Sequence, residues 1–375
     1  MKNLGMALVA WAAAACIASA EPSNPAESLA LRRGVNLSHW FSQHGDYSPR
    51  RLHARFTADD ANLLRATGLD HARFALNPRL LWNYGAGADP DKLNADDLKE
   101  VDRALDLLLA AGLDVVVDIH PDEDFTARLN ADPGFAQRFA AFWRALAGHL
   151  SQTDPRRVVL EALNEPGVKD PAHWNEIQGE LVKVIRQAAP RHAIIVTGGA
   201  FGGVDDLRAV HPLDDPNLIY TFHMYEPFSF THQGATWGMP QWRAMRNVPY
   251  PASPESVAKP AADISDAEAR KTILWYGHEG WDAAKVAARI EAAARWGSKH
   301  HVRLYCGEFG VHRPVAPPAD RVAWLRDTRT ALEKFGIGWC MWDYDASFGM
   351  VRRTDQAVTV DDAVVRALGL GAAQQ

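Results

Sequence analysis

Eight short apolar runs, each followed by a longer stretch with helical spacing, limit what this chain can become more than any other feature. The runs are RGVNL (33–37), DHARFAL (70–76), LDVVVDIH (113–120), RVVLEAL (157–163), AIIVTG (193–198), NLIYTFHMY (217–225), HVRLYCGE (301–308) and GIGWCMWD (336–343). Runs of this length read as buried strands, and their alternation with amphipathic segments is the pattern of repeated βα units. The segment TADDANLLRATG starts on a Thr cap and stops at Gly68. ADDLKEVDRALDLLLAAG ends the same way at Gly112, and PADRVAWLRDTRTALEKFG at Gly336. Eight parallel strands with eight return segments predict an α/β fold, a single (β/α)8 TIM barrel. The competing arrangement, an open doubly wound sheet, would want a glycine-rich phosphate loop after the first strand, and that loop is missing from the sequence.

One connection is out of proportion. Residues 226–280 form a long insertion after strand 6, with Trp237, Trp242 and Trp275 in it. Its NVPYPASPESVAKPAAD stretch is rich in proline and predicts irregular backbone. The N-terminus reads as an export signal over residues 1–20: Lys2, an apolar stretch from Met6 to Ile17, then Ala18-Ser19-Ala20 as a small-x-small cleavage site. Residues 21–375 are then the barrel domain of a secreted or periplasmic protein. Cys306 and Cys340 would be its remaining cysteines, and both lie in apolar runs where a free buried thiol is expected. A net charge of −6 without a basic run argues against nucleic acid. No further stretch reaches transmembrane length, and the chain is expected to act as a monomer. Thirteen tryptophans against eight tyrosines suggest that some rings are ligand platforms rather than core.

In a barrel of this kind, polar residues at the C-terminal ends of the strands are the candidate site. Those ends carry Asn36, His39 and Trp40 on the first strand, Arg73 and Asn77 on the second, and His120 on the third. The fourth carries Asn164 and Glu165, the sixth His223 and Tyr225, the seventh Glu308 and the eighth Trp342. Each alone has an ordinary structural explanation, such as an ion-pair partner or a packed ring. Together they converge on one rim. Glu165 and Glu308 sit on strands four and seven of eight and so face each other across the mouth. Two opposed carboxyl groups are the equipment of glycoside hydrolysis, one as acid and one as nucleophile or base.

This set is similar to the Asn-Glu-Pro motif of clan A glycoside hydrolases in LEALNEPG, and to their nucleophile strand in RLYCGEFG. With Arg73, the DIH ending in His120, HMY with His223 and Tyr225, and Trp342 in WCMWDY, the chain resembles glycoside hydrolase family 5, home of many endoglucanases and mannanases. The resemblance runs from about residue 32 to the C-terminal helix. It implies a retaining mechanism with Glu165 as acid/base and Glu308 as nucleophile. Asn164 would bind the sugar 2-hydroxyl, and Arg73 and Tyr225 would hold and orient Glu308. His120 and His223 would line the cleavage subsite and Trp342 would be its stacking floor. His39 and Trp40 join them as substrate-binding candidates. Neither a metal nor an organic cofactor is implied.

Three other readings fit the residues less well. A metal hydrolase would want converging His or carboxylate ligands, yet the sequence has neither an HExxH nor an HxH after the first strand. A binding-only barrel could lose either glutamate, and a phosphate-using barrel would want a glycine-rich anion nest after strands seven and eight. The expected substrate is a β-linked glucan, with endo-β-1,4-glucanase action foremost. Action on β-1,3-glucan or β-mannan and glucan transglycosylation stay open.

Overall fold

A computed structural model describes residues 29–354 and 357–371. Eight parallel strands close a barrel in chain order: β1 (Arg33–Asn36), β2 (His71–Leu76), β3 (Asp114–Ile119), β4 (Val158–Glu161), β5 (Ile194–Thr197), β6 (Leu218–Met224), β7 (Arg303–Phe309) and β8 (Gly338–Met341). All eight expected strands are there, most of them shortened at their ends. A two-stranded antiparallel ribbon, β9 (Val351–Arg353) with β10 (Val358–Val360), follows β8. The expected export signal, residues 1–20, lies outside the described residues.

The helices start and stop where their caps dictate. Thr57 closes a capping box with Asp60 ahead of the helix Ala58–Ala66, and Asn94 accepts from the Asp96 and Asp97 amides ahead of Ala95–Ala110. Gly68, Gly112 and Gly336 leave these helices and Pro318–Lys334 at φ of 97°, 84° and 68°, a backbone region that glycine enters without penalty.

Side-chain alternation builds the barrel in layers. Leu31, Val116, Val159, Ile195, Ile219, Tyr305 and Cys340 form the apolar lower interior. Two residues further along the same faces stand Asp118, Glu161, Thr197 and Thr221, all buried, and Arg73 reaches into them. The opposite faces of the strands pack against the helices through Val35, Phe74, Val117, Leu160 and Phe222. Cys306 belongs to that outer cluster, so the two cysteines stand in different layers and both are free buried thiols, as expected.

Strand β7 breaks the alternation where it matters. Phe222 of β6 pairs with Cys306, but the next residue, His223, pairs with Glu308, which leaves Gly307 as an extra residue. Regular alternation from Tyr305, which faces inward, would turn Glu308 outward to the helices; the bulge turns it back to the barrel axis. Gly307 suits the position because a Cβ there would lie 2.8 Å from Thr221 Oγ1.

The insertion after β6 is more regular than its prolines predicted. Within 247–263 the irregular part ends at residue 252, and Pro254–Ala262 is a helix capped by Ser253, with Pro254 in its first turn. Proline is at home there, since its missing N–H has no partner in the first turn of any helix. A second helix, Ala267–Glu279, follows and packs on the first. Among the described residues, no helix is long and apolar enough to cross a membrane.

Candidate active site

Arg73 is the hub of the site. Its side chain is fully buried. Nε and Nη2 donate to the two oxygens of Glu161 at 2.8 Å each, and Nη1 donates to Glu308 Oε1 at 2.7 Å and to Asn36 Oδ1 at 2.9 Å. Nη2 also reaches Asn164 Oδ1 at 2.9 Å and lies 3.2 Å from Asp118 Oδ2. One guanidinium thus serves three carboxylates, a geometry that its planar fork of donors permits and an ammonium would not. Burial, and then the neighbouring charge of Asp118, raise the Glu161 carboxyl above its usual range in spite of Arg73. Asp118 passes the network outward, its Oδ2 lying 2.9 Å from His120 Nδ1.

Glu308 is held at both oxygens. Oε1 takes the Arg73 bond, and Oε2 accepts from the Tyr225 hydroxyl at 2.9 Å. Burial and the Glu308 charge raise Tyr225 well above its ordinary value, so it stays a donor. Glu165 stands opposite, just past β4, at φ 35° and followed by Pro166. A non-glycine residue at such a φ is uncommon, and positions of this sort cluster at functional sites. Its side chain is 33% exposed against 6% for Glu308, so Glu165 opens to the cleft while Glu308 is walled in. His223 lies between them, with Nδ1 2.9 Å from Glu165 Oε1 and 3.6 Å from Glu308 Oε2. Burial would depress the imidazolium, but the two carboxylates prevail and the His223 value is raised.

These groups open into a cleft of about 320 Å³ at the C-terminal end of the barrel, lined by His39, His120, Asn164, Glu165, Tyr225, Glu308 and Trp342 among others. Trp342 lies parallel to the His120 ring at 5.4 Å and 15°. Of the residues expected from sequence, Arg73, His120, Asn164, Glu165, His223, Tyr225, Glu308, Trp342 and His39 meet in or directly beneath this cleft. His223 acts as a bridge between carboxylates more than as a wall.

Trp40 does not belong to the set. It is buried among Phe41, Phe56 and Phe74, and its Nε1 donates to the Leu52 carbonyl at 2.9 Å. The chain turns after His39, which has φ 56°, and drives the next side chain into the core. Asn77 likewise serves locally, capping the short helix Pro78–Leu81 by accepting from the Arg79 amide.

Several cleft residues were not anticipated. Gln43, His232, Trp237, Ser347 and Phe348 complete the lining. Trp237 is one of the insertion's tryptophans. It is 48% exposed and meets His312 edge-on at 5.2 Å. Glu161 and Asp118 had a readable signal, since each stands two residues beyond an interior apolar residue of its strand. Ser347 and Phe348 had none.

Among the described residues, the group with metal-ligand spacing is Glu165, His223 and Glu308, one ligand atom from each lying within 4.8 Å of the others. Both Glu308 oxygens already accept hydrogen bonds and Arg73 stands beside them, so this donor set suits a sugar's reacting carbon better than a second cation.

The chain has relatives among known proteins in both sequence and fold. A family model described as cellulase (glycosyl hydrolase family 5) matches residues 32–347. Endoglucanase C of Acetivibrio thermocellus is 28% identical over 325 residues, covering 84% of this chain and 92% of its own. Cellodextrinase A of Ruminococcus flavefaciens is 28% identical over 321 residues, covering 83% and 84%. Among solved structures, Cel5A of Thermotoga maritima in complex with cellobiose is 25% identical, with a TM-score of 0.73 over 92% of this chain and 100% of that one.

Proposed function

The chain belongs to glycosyl hydrolase family 5 and is a glycoside hydrolase, and from that premise we propose that it is a retaining endo-β-1,4-glucanase, with Glu165 as acid/base and Glu308 as nucleophile. The observation that carries the reading is the close approach of the two carboxylates, with one oxygen of each inside the 4.8 Å group they share with His223. Retaining glycosidases hold their carboxyls about 5–5.5 Å apart, whereas inverting ones need about 6.5–9.5 Å to admit a water.

In the first step Glu165 gives its proton to the glycosidic oxygen as a Glu308 oxygen attacks the anomeric carbon. The bond to the leaving sugar breaks and a glycosyl ester forms on Glu308. In the second step Glu165, now a carboxylate, takes a proton from water. The water oxygen bonds to the anomeric carbon and Glu308 leaves. Arg73 and Tyr225 fix both Glu308 oxygens, so the attacking lone pair is aimed before substrate arrives and little reorganisation remains for the transition state. Asn164 spends its carbonyl oxygen on Arg73, which turns its amide hydrogens toward the sugar 2-hydroxyl, a contact that strengthens as the oxocarbenium-like state forms. Trp342, backed by His120, offers its ring face to the sugar at the cleavage point.

Relatives named as an endoglucanase and a cellodextrinase support a β-1,4-glucan as substrate. Residues 1–20 serve as an export signal, which brings the mature chain, residues 21–375, to a polymer that cannot enter the cell. The test is a product assay on β-1,4-glucan, mixed-linkage glucan, β-1,3-glucan and β-mannan, with products separated by length. Endo action on β-1,4-glucan gives a falling polymer size before monomers or dimers accumulate. Release of one short product from the start, or cleavage of another polymer alone, overturns the assignment.

A further inference from the structure

A second cavity, of about 490 Å³, opens beside the cleft between the segments that follow β1 and β2. Resting on the glucanase reading above, we propose that it is a second binding pocket for the neutral β-glucan chain, separate from the reacting cleft.

The pocket is built as sugar sites are, with an apolar floor and a few polar groups at the edge. Leu80 and Leu81 form the floor, and the half-buried ring of Tyr47 stands at its side. Pyranose rings present C–H faces that suit such surfaces. Three polar groups are unspent. The Asn83 side chain makes no hydrogen bond among the described residues. Asn94 uses its carbonyl oxygen to cap the helix Ala95–Ala110, and its amide donors remain. The Asp97 carboxylate has no hydrogen-bond partner among the described residues either. Two amides and one carboxylate supply donors and acceptors together, which vicinal hydroxyls require and an anion does not. The cations of the pocket are already committed, Arg79 to Asp122 at 2.9 Å and Asp124 at 2.7 Å, and Lys92 to Asp89 at 3.2 Å. An uncommitted Asp97 would repel an acidic polymer, so a neutral chain is favoured.

Position supports the same occupant. Gln43 lines the cleft and Tyr47, four residues on, lines the pocket. His120 lines the cleft, and two residues later Asp122 holds the Arg79 of the pocket. The two cavities thus flank the same loops on one face of the barrel, where a chain leaving the cleft at the β1–β3 side would pass.

The test compares wild type with Tyr47→Ala and Asn83→Ala, on cellotriose and on hydroxyethyl cellulose, a soluble neutral polymer. The proposal predicts that KM for the polymer rises about tenfold, the loss of one aromatic contact, with kcat and all cellotriose constants unchanged. Equal losses on both substrates, or no loss on either, overturn it. Should wild type cut neither substrate, the glucanase reading fails by itself. Electrophoresis in gels containing hydroxyethyl cellulose then decides the pocket: retardation of wild type that Tyr47→Ala abolishes upholds it, and equal mobility refutes it.

Discussion

Glu161 grips the Nε–Nη2 edge of the Arg73 guanidinium with both of its carboxylate oxygens, at 2.8 Å each. Both side chains are buried, so the pair acts through what Arg73 holds with its remaining nitrogen, Glu308. Glu161→Gln keeps the shape but removes the charge and places an amide against a donor. It should lower kcat by about one to two orders of magnitude with little change in KM, since a charged hydrogen bond contributes about 1.5–3 kcal/mol. Glu161→Ala, which breaks a buried pair outright, should also cost about 3–5 kcal/mol of stability. Steady-state kinetics with thermal melting checks both, and an Ala variant as active and as stable as wild type contradicts the role.

Tyr225 makes a narrower claim. Its hydroxyl is one of two donors on Glu308, so Tyr225→Phe should lower kcat about tenfold or more while leaving the fold intact. A change confined to KM would mean that Tyr225 binds substrate and does not position Glu308.

The two tryptophans separated by the structure should behave differently. Trp40→Ala empties a core site and should destabilise the protein by about 3–5 kcal/mol. Trp342→Ala should raise KM and lower kcat with a smaller loss of stability, because its ring is presented to the cleft. Melting curves and kinetics on the two variants distinguish the cases, and identical profiles would contradict a core role for Trp40.

Asp343 provides a pH test. Burial, against the Ser38 hydrogen bond and with the charge of Asp345, pushes it up to about 7. A carboxyl raised in the folded state adds stability fully below its ordinary value near 3.8 and loses it as pH rises toward 7. Asp343→Asn removes this linkage. Melting temperatures measured from pH 4 to 7 should therefore converge on, or pass above, those of wild type as pH increases. A gap that does not change with pH contradicts the buried titration.

Much of this was legible from the residues. A cap such as Thr57, and stop signals such as Gly68 and Gly112, act locally, and the helices obey them. The rim residues were legible because they stand at or just past the C-terminal ends of the strands, where a closed barrel opens its mouth. For Glu161 the alternation gives only its inward face; its role depends on Arg73, which is 88 residues away. The bulge at Gly307 could not be read, since it is a matter of register between two strands. Trp40 misled because it follows the rim residue His39 directly, and only the turn after His39 shows which way the ring goes. The helix Pro254–Ala262 is hidden by its own prolines, which suggest a break although Pro254 starts the helix.

The most direct test of the account is to trap the intermediate. Incubation with a 2-deoxy-2-fluoro β-cellobioside carrying a good leaving group, followed by digestion and peptide mass analysis, should place one fluorosugar on the peptide containing Glu308, with loss of activity in step with labelling. A label on a different residue, or continued turnover with none, contradicts Glu308 as the nucleophile.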